Sequence, residues 1–166
     1  MLAVAIFCTA TITAAAQDTA KGMVFHDKNG NGQFEEGEPG VAQVAVSNGR
    51  DVVRTGDDGR YTIPVSGDTI VFIAKPAGWQ VPIEAPEYLP RFYYVHRPNG
   101  SPNFKFKGVE ATGPLPASID FPLTPVEEPD QFKMICLGDT QPRDQQEIDY
   151  IAHQVVEELA GVDSVM

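Results

Sequence analysis

Val41-Ala42-Gln43-Val44-Ala45-Val46-Ser47-Asn48-Gly49-Arg50-Asp51-Val52-Val53-Arg54-Thr55 is the stretch that decides the fold class. Apolar residues alternate through its first half, putting Val44 and Val46 on one face of a strand over Val41–Ser47. Asn48-Gly49 is a type I′ hairpin signal, and Asp51–Thr55 supplies the returning strand. Working outward, Met23-Val24-Phe25-His26 reads as an earlier strand. Gly56-Asp57-Asp58-Gly59 turns the chain into a strand beginning Arg60-Tyr61-Thr62-Ile63, and Thr69–Lys75 forms another, closed by Pro76-Ala77-Gly78. Thirteen of the 14 prolines lie between Pro39 and Pro129, which excludes helices of useful length there. The expectation is a mainly β chain with an antiparallel β-sandwich over residues 17–125.

At 166 residues the chain has room for one ordinary domain, or a small domain and the start of another. Twelve basic against 23 acidic residues give a formal charge of −11, which repels nucleic acid and anionic membrane, so no nucleic-acid partner is expected. The excess is concentrated. From Glu127 onward ten acids face only Lys133 and Arg143, so this last quarter carries −8 of the −11. A Pro-rich run precedes it, and residues 126–131 are read as a linker. Met1–Ala16 contain no charge, are apolar from Leu2 to Phe7, and end in Ala14-Ala15-Ala16. That pattern reads as a secretory signal peptide over residues 1–16, and it predicts export to the periplasm, the cell surface or the medium. The segment is too short to span a membrane. Loss of Cys8 with the leader leaves Cys136 alone, without an intrachain disulfide partner.

Asp27-Lys28-Asn29-Gly30-Asn31-Gly32-Gln33-Phe34-Glu35-Glu36-Gly37-Glu38 satisfies D-x-[DN]-x-[DN]-G-x5-E throughout. Asp27, Asn29, Asn31, the Gln33 carbonyl, Glu35 and a bidentate Glu38 are the candidate ligands of a structural Ca²⁺ ion, with Gly32 at the sharp bend. The alternative is a polar turn rich in Asn and Gly, residues that tolerate positive φ. Between Glu87 and Glu110 there is no acid. Arg91, His96, Arg97, Lys105 and Lys107 there alternate with Tyr and Phe residues. Two readings stand: Arg91, His96 and Arg97 face an anionic ligand or the acidic C-terminal region, or the segment is a pair of strands with aromatic inner faces.

Phe132-Lys133-Met134-Ile135-Cys136-Leu137-Gly138 has the apolar character of a strand buried on both faces of a parallel sheet. Ile148, Ile151, Ala152, Val155 and Leu159 follow at helical spacing, with Asp144 as N-cap, Glu147 three residues on and Gly161 as stop. Val162–Met166 opens a second strand. Residues 132–166 thus read as the first β-α unit of an α/β domain. Gly138-Asp139-Thr140-Gln141-Pro142-Arg143-Asp144 sits at the carboxyl end of the first strand, where such sheets bind ligands.

Two resemblances follow from these residues. Gly22–Phe25, Gly40–Val46, Thr55–Tyr61 and Lys75–Trp79 resemble the carboxypeptidase-regulatory-like (transthyretin-like) β-sandwich modules of exported bacterial proteins, which implies a fold and no activity. Gly138–Asp144 resembles the first motif of calcineurin-like metallophosphoesterases, with Gln141 where most members have His. Together with Phe92–Pro102 and Ile119–Leu123 it is similar to an exported bacterial subgroup bearing an N-terminal β-sandwich. The resemblance implies a two-metal centre (Mn, Fe, Zn or Mg) acting on a phosphoester substrate, with Asp139 and Gln141 as metal ligands. It also implies that the β-sandwich docks on the rest of the catalytic domain. The family's later motifs do not occur in these 166 residues, so the chain resembles the first third of such an enzyme: it holds no catalytic residue of its own and is expected to be inert alone. The alternative function is a secreted calcium-binding adhesion module without catalysis.

Overall fold

A computed structural model describes residues 18–86, 88–131, 136, 138 and 140–159. The expected leader over 1–16, most of the strand at 132–138, Asp139, Gly161 and the strand at 162–166 lie outside the described residues. The chain divides into two compact units, residues 1–126 and 127–166.

Among the described residues, the first unit is built from ten strands. In chain order they are β1 Thr19–His26, β2 Ala45–Ser47, β3 Val52–Arg54, β4 Arg60–Pro64, β5 Thr69–Ala74, β6 Trp79–Gln80, β7 Ile83–Glu84, β8 Leu89–Pro90, β9 Tyr93–His96 and β10 Phe121–Pro125. They form two four-stranded sheets, ordered β4-β1-β10-β6 and β3-β2-β5-β9, with β7 and β8 as a separate ribbon. The mainly β reading holds, and one pairing refines it: β10 runs parallel to β1, with Val24 opposite Phe121 and His26 opposite Leu123. All other strand pairs are antiparallel.

Between the sheets lies one core. Val24, Ile63 and Leu123 of the first sheet meet Val46, Val71 and Ile73 of the second, joined by Val44 and Phe121. β1 is buried on both of its faces. Ala20 and Val24 belong to that core, whereas Phe25 on the opposite face lies under Phe34, ring centroids 5.5 Å apart and nearly perpendicular. The unbroken apolar run Met23-Val24-Phe25 follows from this double burial.

Two expectations change in detail. The strand predicted from Val41 begins only at Ala45, because Gln43 takes a left-handed conformation with φ of 61°. The buried Thr55 hydroxyl holds that kink. It donates to Val41 O (2.7 Å) and accepts from Val44 N (2.9 Å). The hairpin at Asn48-Gly49 is a four-residue loop instead of a two-residue I′ turn, since only Gly49 has positive φ. The Asn48 side-chain oxygen accepts from Arg50 N and Asp51 N, which caps the wider loop.

Ile119 closes the first unit. Its N–H donates to Lys21 O (2.9 Å), and its carbonyl accepts from the Tyr61 hydroxyl (2.7 Å). The neighbouring Asp120 carboxylate accepts from Met23 N (2.8 Å). This crossing is so close that a Cβ on Gly22 would lie 1.8 Å from Ile119 O. Burial, and secondarily the Asp120 charge, push the Tyr61 phenol well above the usual tyrosine range.

In the second unit, α1 spans Gln145–Ile151, a π-helical turn follows over Ala152–Val156, and α2 covers Glu157–Leu159. Asp144 caps α1 as its spacing predicts, accepting from Glu147 N (3.0 Å), while Glu147 accepts from Arg143 N. The wider turn after Ile151 alters the helical phase on which the apolar spacing rested. No side chain of these helical segments is buried. Among the described residues, no helix is long and apolar enough to cross a membrane.

Two measurements test the crossing at Ile119. Gly22→Ala is expected to destabilise the protein by about 3 kcal/mol or more, because backbone, not a flexible side chain, occupies the space. A thermal melt shifted by only a degree or two contradicts this. Tyr61 stays protonated in the folded chain where an unfolded tyrosine, with a pKa of about 10, ionises. Its contribution is full below about pH 10 and is lost as pH rises further. Tyr61→Phe is therefore expected to flatten the alkaline fall of the melting temperature; an equally steep fall would show the phenol to be uninvolved.

Candidate functional site

The 27–38 loop links β1 to the isolated bridge at Gly40 and is organised around two carboxylates that are almost fully buried. Asp27 is 3% exposed. Its Oδ1 accepts from Gly30 N (2.7 Å) and Asn31 N (3.2 Å), and its Oδ2 from Gly32 N (2.8 Å). Glu38 closes the loop, with Oε1 accepting from Lys28 N (2.9 Å) and Oε2 from Glu35 N (3.0 Å). The amides of Asn29 and Asn31 both donate to the Glu35 carboxylate, at 3.0 Å each. Their own oxygens accept from Asn31 N and Gln33 N. Gly30, Gly32 and Gly37 all have positive φ, which lets successive N–H groups turn toward Asp27 and Glu38. The sequence therefore places its candidate calcium ligands on one loop that satisfies its own polar groups. Among the described residues, no three His, Cys, Asp or Glu side chains cluster so as to hold a metal.

Arg91 lines one pocket, and His96 and Arg97 line another. Arg91 forms an ion pair with Glu84 and lines a cleft of about 600 Å³ together with Gly30, Asn31, Tyr93, Tyr94 and Asp120. His96 and Arg97 line a different pocket of about 370 Å³, beside Asp68 and Thr69. There Arg97 Nε lies 3.0 Å from Asp68 Oδ2, an ion pair whose geometry falls short of a hydrogen bond. His96 is buried at the end of β9, opposite Thr69 of β5, and its Nδ1 has no hydrogen-bond partner. Each guanidinium already holds a carboxylate, so neither pocket presents an uncompensated positive charge from these residues. The cause lies in Asp68 and Glu84, acids far enough away in sequence that the acid-free stretch around the two arginines gave no sign of them.

The segment after β9 forms no second aromatic strand. Pro98 and Pro102 cannot donate to a ladder, and the chain instead makes a loop held by Arg97 with Thr112 and Ser101 with Val109. The loop places Phe104 and Phe106 in solvent.

Of the residues expected to ligate a catalytic metal, Gln141 is exposed near the start of α1, and Asp139 lies outside the described residues. The Gln141 amide oxygen is a neutral donor, weaker toward a transition metal than imidazole or carboxylate, so a metal held there needs anionic or imidazole donors beside it.

No curated protein matches the sequence. A family model described as the N terminal of calcineurin-like phosphoesterase matches residues 28–110. That span takes in the 27–38 loop except Asp27, the hairpin of β2 and β3, and the strands through β9. Covering 83 of the 166 residues, it shows that the chain belongs to this family, the N-terminal region of calcineurin-like phosphoesterases.

Proposed function

We propose that this chain is the N-terminal part of an exported, metal-dependent phosphoesterase, in which the β-sandwich is a non-catalytic module ahead of the hydrolase domain. The family match over residues 28–110 carries this reading, because it falls on the sandwich and ties it to phosphoester hydrolases, a family that is generally metal-dependent. Residues 132–166 are then the first β-α unit of the catalytic domain, and residues 126–131 its linker. Asp139 and Gln141 contribute the first ligands of a two-metal site that further polypeptide completes. When bound, the metals supply charge neutralisation and an activated water. What this chain's own residues do is narrower: Asp144 fixes the start of α1, and with it the loop on which Gln141 lies. Export rests on the leader-like character of Met1–Ala16.

A polypeptide extended through the following domain is expected to hydrolyse p-nitrophenyl phosphate or its diester with added Mn²⁺. Asp139→Ala should lower that rate by about a hundredfold or more, and residues 1–166 alone should be inactive. Undiminished hydrolysis by the Asp139→Ala protein would remove the assignment of this motif.

One observation favours an additional structural role for calcium. Asp27 and Glu38, the first and last carboxylates of the motif, are both almost fully buried at the two ends of one loop, where a cation-binding loop of this motif places its anionic oxygens. On this reading millimolar Ca²⁺ raises the melting temperature of the chain, and Asp27→Asn abolishes the rise. A melting temperature that does not move with Ca²⁺ leaves the loop as a self-contained polar turn.

A further inference from the structure

The loop following β9 is closed at its neck and apolar at its tip, the reverse of what burial favours. Arg97 N donates to Thr112 Oγ1 (2.9 Å), and Thr112 N donates back to Arg97 O (3.0 Å). One step further out, Ser101 N donates to Val109 O (2.8 Å) and Val109 N to Ser101 Oγ (2.9 Å). Packing seals the same neck: a Cβ on Gly108 would lie 2.3 Å from Ser101 Cβ, and one on Gly100 would lie 2.8 Å from Ala111 N. Beyond this clasp stands Phe104-Lys105-Phe106-Lys107. Phe104 is 64% exposed and Phe106 75%, with Val109 also exposed at the base. Lys105 Nζ stands 5.2 Å from the Phe106 ring centroid, and Lys107 pairs with Glu110 at 2.9 Å.

The geometry points to this tip as an anchor for an anionic phospholipid surface, with the two Phe rings entering the headgroup boundary and the lysines meeting lipid phosphates. Three observations select a bilayer over a protein partner. The exposed rings offer roughly 250 Å² of apolar surface, well short of the about 800 Å² each side of a stable protein interface buries. Alternation of Phe with Lys suits an interface at which apolar bodies sink and charged ends stay in water. Lys105 and Lys107 outnumber Glu110, the one acid beside them in sequence, so the tip carries a net positive charge in an otherwise acidic chain. At physiological salt, charge acts over only about 8 Å, and the tip's own lysines govern the contact despite a net charge of −11. This inference is independent of the phosphoesterase reading.

The test is co-sedimentation of the full chain with phosphatidylcholine vesicles containing about 30 mol% phosphatidylglycerol, against vesicles of phosphatidylcholine alone. Binding is expected to the anionic vesicles, to fall with added salt, and to drop about tenfold or more in Phe104→Ala/Phe106→Ala. Lys105→Gln/Lys107→Gln should remove the preference for the anionic lipid. All four side chains are exposed, so the variants are expected to melt like the parent, which a thermal scan checks. No binding to either vesicle, or equal binding by the double Phe variant, overturns the inference. So does retention on immobilised poly-glutamate without vesicle binding, which would assign the tip to an acidic protein partner.

Discussion

The sandwich depends on the crossing of β1 by the chain at Ile119. Gly22 has no side chain there, and its absence lets the Ile119 carbonyl approach the β1 backbone more closely than any Cβ would permit. That approach brings β10 alongside β1, placing Phe121 and Leu123 in the core beside Val24. Tyr61, reaching across from β4, satisfies the Ile119 carbonyl at the point where burial would otherwise leave it without a donor. Remove the close approach and β10 loses its register; without β10, β6 has no neighbour in the first sheet.

Around this crossing the polar chemistry of the sandwich is largely self-contained. Asp27 and Glu38 serve the backbone of their own loop, and Arg91 and Arg97 each hold a carboxylate. Such an arrangement rigidifies the module. The 27–38 loop has a packing task as well: Phe34 covers Phe25, so a segment whose sequence advertises cation binding also seals the outer face of β1.

Apolar side chains left in solvent occur in both units. In the sandwich they include the Phe104 and Phe106 tip, held outward by a hydrogen-bonded neck. In the second unit they lie on the helical face, where Ile148 and Val156 are about half exposed. Helices this short draw most of their stability from tertiary packing.

Local signals in the sequence determined the strands, the prolines' exclusion of helices and the Asp144 cap, because each depends on residues within a few positions. Alternation at Val44 and Val46, the Gly56–Gly59 turn into Tyr61 and the run from Thr69 are of this kind. The twelve-residue acidic loop was legible as a motif, though its oxygens proved to be engaged by its own backbone. Tertiary structure alone decided the parallel pairing of β1 with β10, since its partners lie 97 residues apart and no local pattern encodes a register at that distance. It also gave Arg91 and Arg97 their carboxylate partners, because Glu84 and Asp68 reach them only once the strands are in place. The outward aim of Phe104 and Phe106 was hidden for a related reason: alternation of Phe with Lys describes a half-buried strand equally well, and only the neck closed by Ser101 and Val109 turns those rings toward solvent.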